Sequence, residues 1–204
     1  MVLGAALKAT GLTFIAAAFA LVAMPAMTAA QATPAAGVIE PKPTECLVMP
    51  RKLQPPSEAT PVAPGPGVLP TADSVPVGEP APEADAAAVT ATVREALACR
   101  NAGDVRRAYA LFTDDMIYTL LGGDPGPAPE LLYLLENRNE RPLRGERLEL
   151  VSVANVGILP DGKLRAEVVT ANAETTFTDV LVFAGQDGRW LIDESIAMGR
   201  EPRP

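Results

Sequence analysis

The chain contains no histidine. That removes the side chain most often used near neutral pH as a general base or metal ligand. Aromatic residues make up only 4%, so a core has to be built from Leu, Val, Ile and Ala. There are two cysteines, Cys46 and Cys99, too few for a disulfide scaffold or for the usual zinc spacings. Positive charge is short as well: 17 Lys and Arg against 25 Asp and Glu give a net charge of −8. A chain of that sign lacks the basic footprint nucleic acid requires and is not drawn to anionic membrane surfaces. No Gly-rich phosphate loop follows a strand, since Gly122-Gly123 stands among prolines. No serine occupies a nucleophile elbow. Asp114-Asp115 lacks EF-hand spacing and reads as a turn. Neither a metal nor a cofactor is expected.

What is present begins with an apolar leader. Residues 1–32 carry one charge, Lys8, and the run from Leu12 to Met24 has the length of a signal-peptide core. Pro25 breaks it, and Ala30-Gln31-Ala32 fits a small-x-small cleavage site. Retention as a membrane anchor is the alternative. It needs a span drawn through Gly11, Pro25 and many alanines, which insert poorly. Either way the rest of the chain is expected to be extracytoplasmic, secreted or envelope-associated, with membrane contact only if the leader stays uncleaved.

Residues 33–83 hold 13 of the 21 prolines and no aromatic residue, which predicts an extended, disordered, solvated linker rather than a packed domain. A spacer and a ligand for a proline-recognising domain are the two uses of such a stretch. Val38-Ile39-Glu40 and Glu45-Cys46-Leu47-Val48-Met49 are more apolar than the rest. In an oxidising compartment Cys46 can pair with Cys99 and pin the start of the linker to the folded part. Otherwise Cys99 is a small buried apolar residue and Cys46 is free.

From Ala84 the pattern changes. Val89, Val93 and Leu97, with Ala96 and Arg100 alongside, predict an amphipathic helix over 84–102. Gly103 stops it, and Asp104 caps a second helix over 105–112. Thr113-Asp114-Asp115 reads as a turn and Met116 to Leu121 as a strand. A loop at 122–127 and a short helix at 129–136 follow. The last third reads as an antiparallel meander with hairpin turns at 160–163 and 186–189. Its strands are a long bulged one over 148–156, then 164–170, 175–184 and 190–196. Helices followed by a sheet give an α+β domain over 84–200.

Three local strings carry a resemblance: Asn101-Ala102-Gly103-Asp104 between two helices, Leu111-Phe112-Thr113-Asp114-Asp115, and Asp187-Gly188-Arg189-Trp190 opening the last strand. With the element order, they resemble the nuclear-transport-factor-2-like superfamily, which includes polyketide-cyclase-like and ketosteroid-isomerase-like proteins. The resemblance covers 84–196 and rests on structural motifs. It implies a cone-shaped α+β barrel in which a curved antiparallel sheet wraps the N-terminal helices and leaves a pocket at the open end. It also implies sheet faces and rims that serve as dimer surfaces, hence a homodimer. Aligned without gaps on Gly103-Asp104, the isomerase branch's oxyanion-holding tyrosine falls on Ala96 and its general-base aspartate on Leu120. A slip of register brings up Tyr118 or Thr119, neither a carboxylate. Isomerase chemistry is therefore not expected.

Strand alternation selects the polar groups that share a face with apolar ones. Asp179 has the parity of Phe177, Leu181 and Phe183; Glu194 that of Trp190 and Ile192; Tyr118 that of Met116 and Leu120. Asp179, Glu194 and Tyr118 are the catalytic candidates, and Tyr118, Phe177, Asp179 and Trp190 the pocket candidates. A carboxylate in an apolar pocket has a raised pKa and can exchange protons. The competing readings are an Asp179–Arg165 pair across the sheet, Glu194 beyond the rim, and Trp190 as packing. The leading expectation is a non-catalytic exported module that takes a small apolar molecule or a protein partner. An enzyme with pocket carboxylates and a structural domain with a self-filled cone are the alternatives.

Overall fold

The computed structural model describes residues 38–51, 76–120 and 141–203. The leader at 1–32, the middle of the proline-rich stretch, the loop at 122–127 and the helix expected at 129–136 lie outside them. The first long element is α1, Glu83–Ala102. Its sequence is rich in alanine, and Glu83 and Asp85 in the first turn oppose the positive end of the helix dipole. Gly103 ends it in the left-handed conformation at φ 75°, as the sequence predicts for a helix stop. Asp104 then caps α2, accepting the Arg107 N–H at 3.0 Å. This helix is shorter than expected, Val105–Tyr109.

The strand expected over 116–121 is instead a helix, α3, Asp114–Leu120. Its β-prone residues are overruled by its N-terminus. The Thr113 hydroxyl accepts the Met116 N–H at 3.2 Å, and Asp114 and Asp115 occupy the first turn. The same hydroxyl donates to Asp193 at 2.7 Å, and Lys163 reaches the other Asp193 oxygen at 2.7 Å. Three distant parts of the chain thus meet on one carboxylate, which is 11% exposed.

The sheet is antiparallel and runs β1-β2-β3-β4-β5 in sequence order. Its strands are β1 Glu79–Pro80, β2 Glu149–Ile158, β3 Leu164–Ala171, β4 Thr175–Gln186 and β5 Arg189–Pro202. Asp187 and Gly188, both at positive φ, turn β4 into β5 as the hairpin signal predicts. β5 runs six residues beyond the expected end at Ile196. β2 carries the expected bulge, with register shifts at Leu150/Ser152 and Ala154/Gly157. Gly157 there lets β1 approach closely, because a Cβ would run into the Val77 carbonyl.

The expected linker is not wholly solvated: its two ends are part of the fold. Glu79 and Pro80 pair with the far end of β2, and Ile39 makes a two-bond bridge with Leu150 near its start. Residues 38–51 form a strap across α1. Cys46 and Cys99 are bonded across 53 residues, and the two are 4% and 0% exposed. Asn101, fully buried, holds the strap to the sheet. Its amide nitrogen donates to the Leu148 and Pro41 carbonyls at 2.8 and 3.5 Å, and its oxygen accepts the Leu148 N–H at 3.0 Å. Ion pairs Arg94–Glu45 and Arg147–Glu40 flank it, and Arg51 reaches Asp114 and the Phe112 carbonyl. A proline-rich composition predicts solvation only where apolar residues and partners are missing, and this segment has both. A buried disulfide is also what an oxidising environment outside the cytoplasm favours.

Candidate functional site: a cavity between the helices and the sheet

A cavity of about 1040 Å³ lies between one face of the sheet and the helices, at the upper end of the sizes that hold small ligands. From α1 come Val93, Ala96, Leu97 and Arg100, at the three- and four-residue spacing of one helix face. Tyr109, Phe112, Met116 and Leu120 supply the wall from α2 to α3. The sheet supplies Val168, Thr170, Asp179, Leu181, Ile192 and Ser195. Arg141, Leu143 and Glu146 stand at another side. Leu120 and Leu143 are 50% and 72% exposed, so large apolar side chains face both the cavity and solvent.

Of the residues that sequence parity selects, Asp179 lines the cavity. It pairs with Val168 on β3 and Ala197 on β5. Burial raises the pKa of its carboxyl, with the Arg200 charge opposing. It makes no pair with Arg165, which bonds Glu167 at 3.2 Å. Glu194 does not line the cavity. Phe183 pairs with Ile192 but Val182 pairs with Glu194, so Asp193 is an extra residue. One inserted residue reverses the alternation beyond it. Ser195, opposite Leu181, therefore takes the cavity face, and Glu194 takes the other.

Phe177 and Trp190 are also outside the lining. Phe177 lies under Arg200, 5.7 Å from the guanidinium carbon to the ring centre. Trp190 ties β5 to α1: its indole N–H donates to Asp85 at 3.1 Å, and its carbonyl accepts the Thr92 hydroxyl at 2.9 Å. Tyr118 belongs to α3, and its side chain is outside what is described.

No family model, no curated protein and no solved structure matches this chain. The site has therefore to be read from its own chemistry. Ala96 and Leu120 both line the cavity. Neither can donate a hydrogen bond or take a proton. Among the described residues, the ionisable groups in the lining are Arg100, Tyr109, Arg141, Glu146 and Asp179. Burial raises the Tyr109 phenol above its ordinary range, and its ring meets Phe112 edge-on at 6.0 Å. Glu146 is occupied locally, accepting the Leu143 N–H at 3.0 Å. Among the described residues no cluster of three or more metal-ligating side chains occurs.

Sequence reasoning left Arg100, Tyr109, Glu146 and Ser195 unassigned to a pocket. Arg100 had a signal, since it stands three residues after Leu97 and four after Ala96 on the apolar face. Ser195 had none, because the bulge that turns it inward leaves no mark in the alternation.

Proposed function

We propose that this chain is an exported binding module that takes a small, mostly apolar ligand into the cavity between α1 and the sheet. The observation that carries the reading is the cavity itself: aliphatic and aromatic walls with a few polar groups, which is the usual make-up of a ligand site. The nuclear-transport-factor-2-like cone is the architecture we propose for the domain, with the sheet curving over α1 and the cavity at its open end. The buried Cys46–Cys99 bond supports export, in agreement with the apolar leader.

Binding of a neutral, environment-sensitive dye such as N-phenyl-1-naphthylamine to the exported chain tests this reading. Saturable one-to-one binding with enhanced emission is expected. Ser195→Trp, which puts an indole into the cavity from an exposed strand position, should abolish it without lowering thermal stability. Unchanged dye binding by that variant would place the dye elsewhere and count against the reading.

Asp179 supports a second reading, an enzyme acting on a small hydrophobic substrate. A half-buried carboxyl with a raised pKa can give and take protons. That reading requires Asp179→Asn to abolish a turnover while ligand binding persists.

A further inference from the structure

The chain is acidic, and its described cations are mostly matched to carboxylates. Arg94 and Arg107 around the strap, Lys163 and Arg165 on the sheet, and Arg189 and Arg203 towards its end each sit within 4 Å of one. Arg100 and Arg141 are exceptions: among the described residues neither has a carboxylate partner, and both line the cavity. They come from unrelated parts of the chain, the last turn of α1 and the segment before β2. Arg144, also without a described carboxylate partner, stands three residues beyond Arg141. Arg200 faces Asp179 and covers Phe177. Lys42, on the strap near Glu45, does not line the cavity.

Among the described residues, two carboxylates in the lining oppose this positive charge. Glu146 already accepts a backbone N–H, and Asp179 is half-buried beside Arg200. Arginine stays charged and is weakly hydrated, so it suits carboxylate and phosphate groups at the edge of an apolar space.

We infer that the cavity's ligand is a single-chain amphiphilic anion, its apolar body against Val93, Leu97, Val168 and Leu181 and its headgroup on Arg100 and Arg141. The inference rests on the binding-module reading and narrows it to one chemical class.

The experiment compares dodecanoate, dodecanol and dodecyl phosphate as displacers of the neutral dye from the disulfide-bonded chain near neutral pH. Dodecanoate is expected to bind about tenfold more tightly than dodecanol, the size of a charge-assisted pair at a partly exposed site. The ratio should fall as salt is added. In Arg100→Ala/Arg141→Ala it should approach unity, whereas Arg203→Ala, away from the cavity, should keep it. The salt series on the unmodified chain gives the answer even if the double variant fails to fold. Dodecyl phosphate binding more tightly than dodecanoate would support the inference with a lipid-phosphate source, and the reverse order with a free fatty-acid source. If dodecanol binds as well as either anion, the inference is overturned while the binding module stands. If none displaces a dye that Ser195→Trp excludes, the inference is likewise overturned while the binding module stands.

Discussion

Helix α1 separates two surroundings built on different terms. On one side the strap at 38–51 is tied down by a disulfide, a buried amide and ion pairs. On the other side lies a cavity walled by apolar residues, with arginines that lack carboxylate partners among the described residues. The strap side's polar groups are bonded to the chain itself, whereas Arg100 and Arg141 in the cavity lining have no carboxylate partner among the described residues. A small core with few aromatic residues needs external fastening. Fastening α1 from outside leaves the face that carries Val93, Ala96 and Leu97 to border the cavity.

The largest break in this comparison comes from the disulfide. In the chain-entropy model, a closed loop of 53 residues contributes about 4 kcal/mol. Cys46→Ala/Cys99→Ala should therefore lower Tm by roughly 10–20 °C, read by thermal unfolding of oxidised parent and variant. Equal melting temperatures would mean that the strap is passenger rather than fastening.

Asn101→Ala comes next. It leaves the Leu148 N–H and carbonyl without their side-chain partners in a buried place, at a cost of about 2–3 kcal/mol. Denaturant unfolding measures this. Asn101→Asp keeps the acceptor for the Leu148 N–H but sets a carboxylate against the Leu148 carbonyl, so it should not rescue.

The smallest effect is on the cavity side and has the opposite sign. Burial lifts the Asp179 pKa above its unfolded value. The folded state therefore favours the protonated carboxyl, a contribution fully present below the unfolded pKa and lost as pH rises through the folded one. Asp179→Asn should raise Tm modestly at neutral pH and leave it unchanged near about pH 3. A variant less stable than the parent at neutral pH would show that Asp179 holds the fold rather than being tolerated by it.

Much of this architecture was legible because it rests on local chemistry. Gly103 and Asp104 stop one helix and cap the next, and Asp187-Gly188 turns a hairpin, by rules that depend on a few neighbouring residues. The α3 segment misled because Ile117, Tyr118 and Thr119 are β-prone, while the decision lay with Thr113 and its long-range partner Asp193. The strap was half legible: its cysteine pointed to a bond, but its prolines suggested solvent. In the cavity, Asp179 followed from alternation along an unbroken stretch of β4. Glu194 was misassigned because alternation fails across the bulge at Asp193, and nothing local announces that bulge. Arg141 comes to the cavity from a segment with no apolar period, so only the assembled structure puts it in the same lining as Arg100.

Native mass spectrometry of the chain exported through an oxidising route tests the central claim most directly, since one spectrum reads the disulfide state, the number of subunits and any retained ligand. The account predicts an oxidised chain carrying a small adduct that leaves on mild activation and is missing from Ser195→Trp. A bare mass for the parent that stays bare after incubation with dodecanoate and dodecanol, or an adduct that Ser195→Trp retains in full, would contradict it.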